Sequence, residues 1–433
     1  MPEFDQNTIR LLLMDANEPL GIVKEFLHYR QAKTELQTVS SQEPIKLDSW
    51  LVLSCPFQDF SRSLSLPNDN CDLSGLPDTI LNALRDRKCH LIIDGSKEGW
   101  EFEPVYAVRF HEMLAQFGVS PKVATFLSQN RKFASDYINW STQHKIEEKI
   151  QVLCAQYWIP QVTREAVHYA ERFVDERCPI REKKYVCLNS RPRLHRILLL
   201  SSLVQAGVLR DGYVSFGGFT QNGNLQGKPF TIRFDTDVLQ NMYPALSDEI
   251  KYLNTVAPLI VDIQHDNQRA LTDGFALSLY NRSYFTIVSE SDFTNGSIDR
   301  VTEKILKPIL GKHPFVVVGN PYSLERLRDM GFKTFAPHLD ESYDQILDPA
   351  LRFKSVMTEI ARLTSLSHQQ LESLCNDLSD VTRYNYNHLT KRFIDCWNRN
   401  VIFNLIKNVE VQVSAARAAI PQKDHIAGNS EIS

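Results

Sequence analysis

Residues 282–336 read RSYFTIVSESDFTNGSIDRVTEKILKPILGKHPFVVVGNPYSLERLRDMGFKTFA. The run RSYFTIVSE (282–290) predicts a strand, 300–310 a helix, PFVVVG (314–319) a strand with no polar face, 322–330 a helix closed by Gly331, and KTFA (333–336) a further strand. A strand apolar on both sides belongs in a parallel sheet covered by helices on both faces. Val301, Ile305 and Ile309 lie four residues apart and form the buried stripe of the first helix, which leaves Glu303, Lys304 and Lys307 on its outer or ligand-facing side. Glu303 and Lys307 also fit a simple i,i+4 ion pair, and the position after a strand favours the ligand-facing alternative.

The same alternation recurs upstream. KYVCLN (184–189) predicts a strand, 192–206 a helix ended by Gly207, and GYVSFGG (212–218) another strand. Nearer the amino terminus, IRLLLMD (9–15), PLGIVKEFLHY (19–29) and SWLVLSCPF (49–57) read as a βαβ unit. A helix at 79–87, the strand CHLIID (89–94), a helix at 105–117 and the strand KVATFLS (122–128) follow. The charged, proline-bearing stretch FVDERCPIREKK (173–184) is the candidate linker. Residues 219–270 give only a weak pattern. The organisation expected is an α/β chain with a doubly wound amino-terminal domain over 1–175 and a second over 184–345. Carboxy-terminal helices over 348–412 and a disordered tail over 413–433 complete it.

Composition narrows the function classes. Of 433 residues, 43% are hydrophobic and 23% charged, as in folded globular chains, and the net charge of −4 argues against a general nucleic-acid binder. The eight cysteines contain no CxxC pair and have no histidine partners at zinc-finger spacing. The start MPEFDQNTIR is acidic where a secretory signal is basic, and LLLM is too short to span a bilayer. The expectation is therefore a cytoplasmic protein without a transmembrane segment, which leaves room for peripheral membrane contact.

In open α/β sheets, ligands lie beyond the carboxyl ends of the strands. Three loops qualify: Asp94 to Glu101 after CHLIID, Ser190 to Arg196 after KYVCLN, and the loop after YFTIVSE that leads to Arg300, Thr302, Glu303 and Lys304. With Pro192 at the first helical position, Arg191, Arg193 and Arg196 crowd the positive end of a helix dipole, where acids are normally favoured. A diphosphate held by backbone N–H groups and guanidinium forks explains them; the plainer alternative is pairing with acids elsewhere or snorkelling to solvent. Asp235 and Asp237 have a DxD spacing but read as the start of a helix, so no metal site is assigned. GNLQGKPF (223–230) is a hairpin turn and not a phosphate loop, and His195 and His313 are read as packed or capping residues.

The run YFTIVSES with DRVTEKILKPILGKHPFVVVGNP resembles the donor-binding signature of the α1,3-fucosyltransferases and, more loosely, of exostosin-type glycosyltransferases. The match spans about fifty residues. It implies a GT-B-like fold, two Rossmann-like domains facing across a cleft. It also implies transfer of a sugar from a nucleoside-diphosphate sugar to a hydroxyl acceptor, a glycan or lipid-linked saccharide, with no metal and no further cofactor. By this resemblance Glu303 accepts from ribose hydroxyls, Lys304 neutralises the diphosphate, Arg191 or Arg193 supplies a second phosphate contact, and Glu290 shapes the sugar pocket. The general base is expected from the facing domain, with Glu98 first and Asp94 second. SES in place of ENS, a longer loop and KPIL depart from the pattern and leave the sugar unspecified. A non-catalytic scaffold derived from the same fold, binding nucleotide or glycan, is the alternative.

Overall fold

The computed structural model describes residues 8–13, 33–38, 49–54, 73–96, 99–155, 181–225, 228–261 and 277–393, with a few isolated positions besides. The chain divides into two units, Met1–Tyr157 with Trp397–Ser433, and Trp158–Cys396.

In the first unit Thr8–Leu13 (β1) is flanked by Lys33–Thr38 (β2) and Ser49–Ser54 (β3), followed outward by Cys89–Gly95 (β4), Ala124–Ser128 (β5) and Gln151–Cys154 (β6). Every neighbouring pair in the order β2-β1-β3-β4-β5-β6 is parallel. Parallel neighbours require crossovers, and the helices Asp78–Arg85, Pro104–Gln116 and Lys132–Gln143 lie between the last four strands in sequence. All residues of β4 and β5 are buried, as strands covered on both faces must be. The aromatic core on this sheet includes Phe110, Phe126, Phe133, Tyr137 and Trp140.

The second unit holds Lys183–Asn189 (β7), Gly212–Phe216 (β8), the antiparallel pair Thr220–Leu225 (β9) and Lys228–Arg233 (β10), then Ser283–Ser289 (β11) and Phe315–Val318 (β12). Its main sheet runs β12-β11-β7-β8, all parallel. With the hairpin set aside, the order is second, first, third, fourth strand, the arrangement that also begins the first sheet. The direction of winding therefore reverses between β7 and β11, and the carboxyl ends of such a pair are where open α/β sheets bind ligands. The expected parallel α/β class is what the structure has.

Several expectations shift. The helix after β7 is Leu194–Gln205 with Arg193 as its N-cap, so Pro192 precedes the helix instead of opening it. The helix expected over 300–310 begins as a 3-10 turn at Glu303–Ile305 capped by the Thr302 side chain, and continues as Leu306–Leu310. KTFA is not a strand. The Lys333 N–H donates to Asn385 Oδ1 at 2.8 Å and its carbonyl accepts from Asn385 Nδ2 at 2.8 Å, so a helix side chain satisfies the backbone that a neighbouring strand would have bonded. Asn385 belongs to Ser379–Lys391, which with Pro349–Ser365 and His368–Asp377 falls inside the second unit. Among the described residues no helix is long and apolar enough to cross a membrane.

The anticipated stripe is present: Val301, Ile305 and Ile309 are buried. The loop after β7 is pressed against the end of β8, where a Cβ on Gly217 would stand 2.1 Å from the Ser190 carbonyl oxygen. Replacing Gly217 by Ala forces this backbone apart, so the variant should lose about 1–3 kcal/mol of unfolding free energy. Urea denaturation checks it; an unchanged midpoint would contradict the tight packing of this loop.

Candidate functional site

The site is built on the last residues of β7 and β11. Beyond Ser289 the chain enters Glu290, which remains buried at 3% exposure. Its N–H donates to the Val318 carbonyl of β12 at 2.9 Å. Its carbonyl accepts from His195 Nε2 at 3.0 Å and from Arg196 Nη2 at 3.0 Å. Its carboxylate accepts from the N–H groups of Ser291 and Thr302, each at 3.2 Å, and from the Thr302 hydroxyl. Gly319 makes room for this side chain, since a Cβ there would lie 3.1 Å from Glu290 Cβ and Cγ. Burial pushes the Glu290 carboxyl above its ordinary value, against the opposing pull of Lys304 and the Thr302 bonds.

Thr302 hands the anchorage on to the T-E-K turn. Lys304 Nζ donates to Glu303 Oε1 at 2.8 Å, Ser291 Oγ at 3.0 Å and Thr302 Oγ1 at 3.3 Å. Glu303 and Lys304 keep 31% and 29% of their side-chain surface exposed, so the pair faces outward from an otherwise buried turn. Burial opposes the Glu303 charge, but the Lys304 ion pair and hydrogen bond, helped by Lys307, outweigh it and hold the carboxyl at about 2. An ionised carboxylate and an ammonium, side by side and accessible, can accept from ligand hydroxyls and donate to a ligand anion.

The intervening loop is tied down at several points. Arg300 pairs with Asp292 at 2.7 Å, and Arg326 with Asp299 at 2.8 Å. Asn320 Oδ1 accepts from the Thr294 N–H at 2.7 Å, and Asn320 Nδ2 donates to the Ile298 carbonyl at 2.9 Å. The fully buried Arg352 reaches the Gly319, Ile346, Leu347 and Thr294 carbonyls. Its guanidinium also covers the ring of Phe293 at 4.5 Å. Asp292, Asn320 and Arg352 were not anticipated from the sequence. Each is an ordinary polar residue in its local pattern, and only tertiary contact shows its use.

The three arginines of the loop after β7 separate into two kinds. Arg191 and Arg193 are exposed, at the amino end of a helix with no acid in its first turn. Arg196 is 3% exposed, and its guanidinium donates to the carbonyls of Arg191 (3.0 Å), Ser289 (3.3 Å) and Glu290 (3.0 Å). Burial, and then the like charge of Arg193, lower its pKa to about 10, so it stays a cation at neutral pH. The helix that carries it, LHRILLLSSLVQ, is mostly apolar and buries most of its residues from His195 to Leu203. Arg196 Nε, Asn189 Oδ1 and Ser289 Oγ, all at the carboxyl ends of β7 and β11 or in the helix turn that follows, are among the buried polar atoms of the described residues that have no hydrogen-bond partner.

The structure thus gathers Arg196, Glu290, Thr302, Glu303 and Lys304 at the carboxyl ends of the two inner strands and links them through Glu290, with Arg191 and Arg193 in the loop after β7. Arg300, expected to face the ligand, is instead 8% exposed and paired with Asp292. In the first unit Asp94 is buried at the end of β4, where Oδ1 accepts from the Ser96 N–H at 2.9 Å. Glu98 lies outside the described residues. Asp235 caps the helix Thr236–Met242, accepting from the N–H groups of Asp237 and Val238, as its spacing suggested. His313 is packed near the opposite, amino end of β12, bonded to Thr286 Oγ1 and the Tyr280 carbonyl. A shallow crevice lined by Arg181, Tyr284, Lys312, His313 and Cys375 lies there too, away from the cluster.

No protein-family model and no curated protein matches the chain.

His195 supplies a pH test. It is buried, stacked on Phe293 at 5.5 Å, and burial followed by the Arg196 charge depresses its pKa from 6.5 to about 3. The unfolded chain therefore binds a proton that the folded one refuses. This group's contribution is present above pH 6.5 and is lost as pH falls towards 3. Urea midpoints should drop through that range, and less steeply in His195→Gln; identical slopes would exclude His195 as a source.

Proposed function

We propose that the chain is a nucleotide-sugar-dependent glycosyltransferase of the GT-B type, moving a sugar from a nucleoside-diphosphate donor to a hydroxyl acceptor. One observation carries the reading. The residues behind the resemblance, Glu290 with the T-E-K turn, lie at a topological switch point, the place where open α/β sheets bind ligands, and Arg196 ties Glu290 to the loop that carries exposed Arg191 and Arg193. The cations supply what a departing diphosphate needs, and the ionised Glu303 supplies an acceptor for sugar or ribose hydroxyls.

In this reading the leaving diphosphate is neutralised by Lys304 together with Arg191 or Arg193 and the first N–H groups of Leu194–Gln205. Thr302 acts through its cap on the turn. Glu290 and Arg300 hold the loop between them, and neither is required to touch the donor. Glu98, in the loop after β4, is the general base that takes the acceptor proton as the hydroxyl attacks the anomeric carbon. The acceptor is a glycan or a lipid-linked saccharide.

Thermal stabilisation by UDP, GDP, CDP and ADP tests the donor site, and no shift with any of them at millimolar concentration would refute it. With the diphosphate that binds, Lys304→Ala should weaken affinity about 10- to 100-fold, the scale of a charge-assisted hydrogen bond. Affinity for the matching nucleoside should barely change; equal losses would remove Lys304 from the phosphate. Glu98→Gln should leave donor binding intact and suppress transfer by about 10²–10⁴-fold, the usual contribution of a general base. Undiminished turnover in that variant would exclude Glu98.

A further inference from the structure

We propose that Arg196 is a positioning residue that joins the loop after β7 to the loop after β11, and so sets Arg191 and Arg193 against Lys304 without itself touching the ligand. The proposal rests on the nucleoside-diphosphate reading of this site. The sequence groups Arg196 with its two neighbours as a phosphate ligand; its bonds separate it from them.

Both terminal nitrogens of the guanidinium are occupied by backbone. Nη1 holds the Arg191 carbonyl, in the first loop, and Nη2 holds the Ser289 and Glu290 carbonyls, in the second. Three of its five N–H donors are thus spent on backbone; of the remaining two, Nε is buried and the other is on Nη1, beside the Arg191 carbonyl. The charge has protein partners as well: among the groups that act on Arg196 are the carboxylates of Glu290 and Glu303, and the like charge of Arg193. His195 adds a second bond to the Glu290 carbonyl and stacks on Phe293 from the same loop.

From there the mechanical path is short. The Glu290 backbone, gripped from the first loop, carries a carboxylate that accepts from the Thr302 N–H and hydroxyl, and Thr302 Oγ1 accepts in turn from Lys304 Nζ. A lysine cannot replace this clamp. It preserves the charge, but one nitrogen cannot stand at both Nη positions of a planar fork.

Two measurements on the full chain test the clamp. The first is amide hydrogen exchange without ligand, comparing wild type with Arg196→Lys. Exchange should quicken together in 191–196 and at Ser291 and Thr302, with the first unit unchanged; quickening confined to 191–196 would overturn the proposal. The second is affinity for the diphosphate that binds among UDP, GDP, CDP and ADP, followed over a range of salt. A cation on the ligand adds to the salt dependence, because screening weakens it, whereas a buried clamp between carbonyls does not.

Arg193→Ala should lower both affinity and salt dependence. Arg196→Lys should lower affinity at least about tenfold although it keeps the charge, and Arg196→Gln, which removes the charge, should leave the salt dependence at the wild-type value. Arg196→Lys with wild-type affinity, or a flattened salt dependence in Arg196→Gln, would return Arg196 to the ligand. Should Arg196→Lys not fold, His195→Phe removes one of the bonds to the same carbonyl and should show a smaller loss with the same unchanged salt dependence; a flattened one would count against the clamp. If none of the four diphosphates binds wild type, the glycosyltransferase reading fails, while the exchange pattern still decides whether the loops are joined.

Discussion

A single buried residue, Glu290, makes hydrogen bonds in three directions, and the geometry of the candidate site follows from them. Its carbonyl is held by His195 and Arg196, its N–H by β12, and its carboxylate by Ser291 and Thr302. Burying a carboxylate is costly unless its oxygens are satisfied. Here satisfaction of the oxygens is also what draws the T-E-K turn onto the end of β11. Were those oxygens left unsatisfied, the turn would lose its bonds to the end of β11 and keep only the ties made by the loop and by its own buried stripe.

Topology makes this convergence possible. In each unit the first strand lies inside its sheet, with the second strand on one side and the third on the other. At that reversal the chain leaves neighbouring strands for different places, so the loops after β7 and β11 diverge and need bridges to stay in register. The structure supplies two buried arginines for that purpose, Arg196 between these loops and Arg352 between the β11 loop, the end of β12 and the carboxy-terminal helices. Both bond carbonyls with their guanidinium groups. A planar guanidinium can reach several carbonyls at once, which no other side chain does as well.

Much of the fold was legible in the sequence, for a reason visible strand by strand. β4, β11 and β12 are buried on both faces, so β12 is apolar throughout and β4 and β11 have apolar residues pointing to both sides, and the stripe Val301, Ile305, Ile309 marks its helix by spacing alone. β2, KTELQT, escaped notice because it stands at the sheet's edge and its residues are mostly polar. KTFA alternates polar and apolar residues as an edge strand does, while its backbone is bonded by Asn385 from a helix more than fifty residues later. The site was legible in its residue types but not in their division of labour. Arg193 and Arg196 are three positions apart in similar surroundings, yet one is exposed and the other buried, since the helix that carries Arg196 packs on nearly all its sides.

The sequence by itself determined the parallel α/β class, the two loops that carry cations, and the turn that presents Glu303 and Lys304. All of these depend on apolar periodicity and on residues near one another in the chain. Only the tertiary structure decided which charges face outward and which hold the backbone together. Whether a guanidinium meets a ligand or a carbonyl depends on what lies across the sheet from it, at Ser289 and Glu290, and no local pattern around Arg196 records that distance.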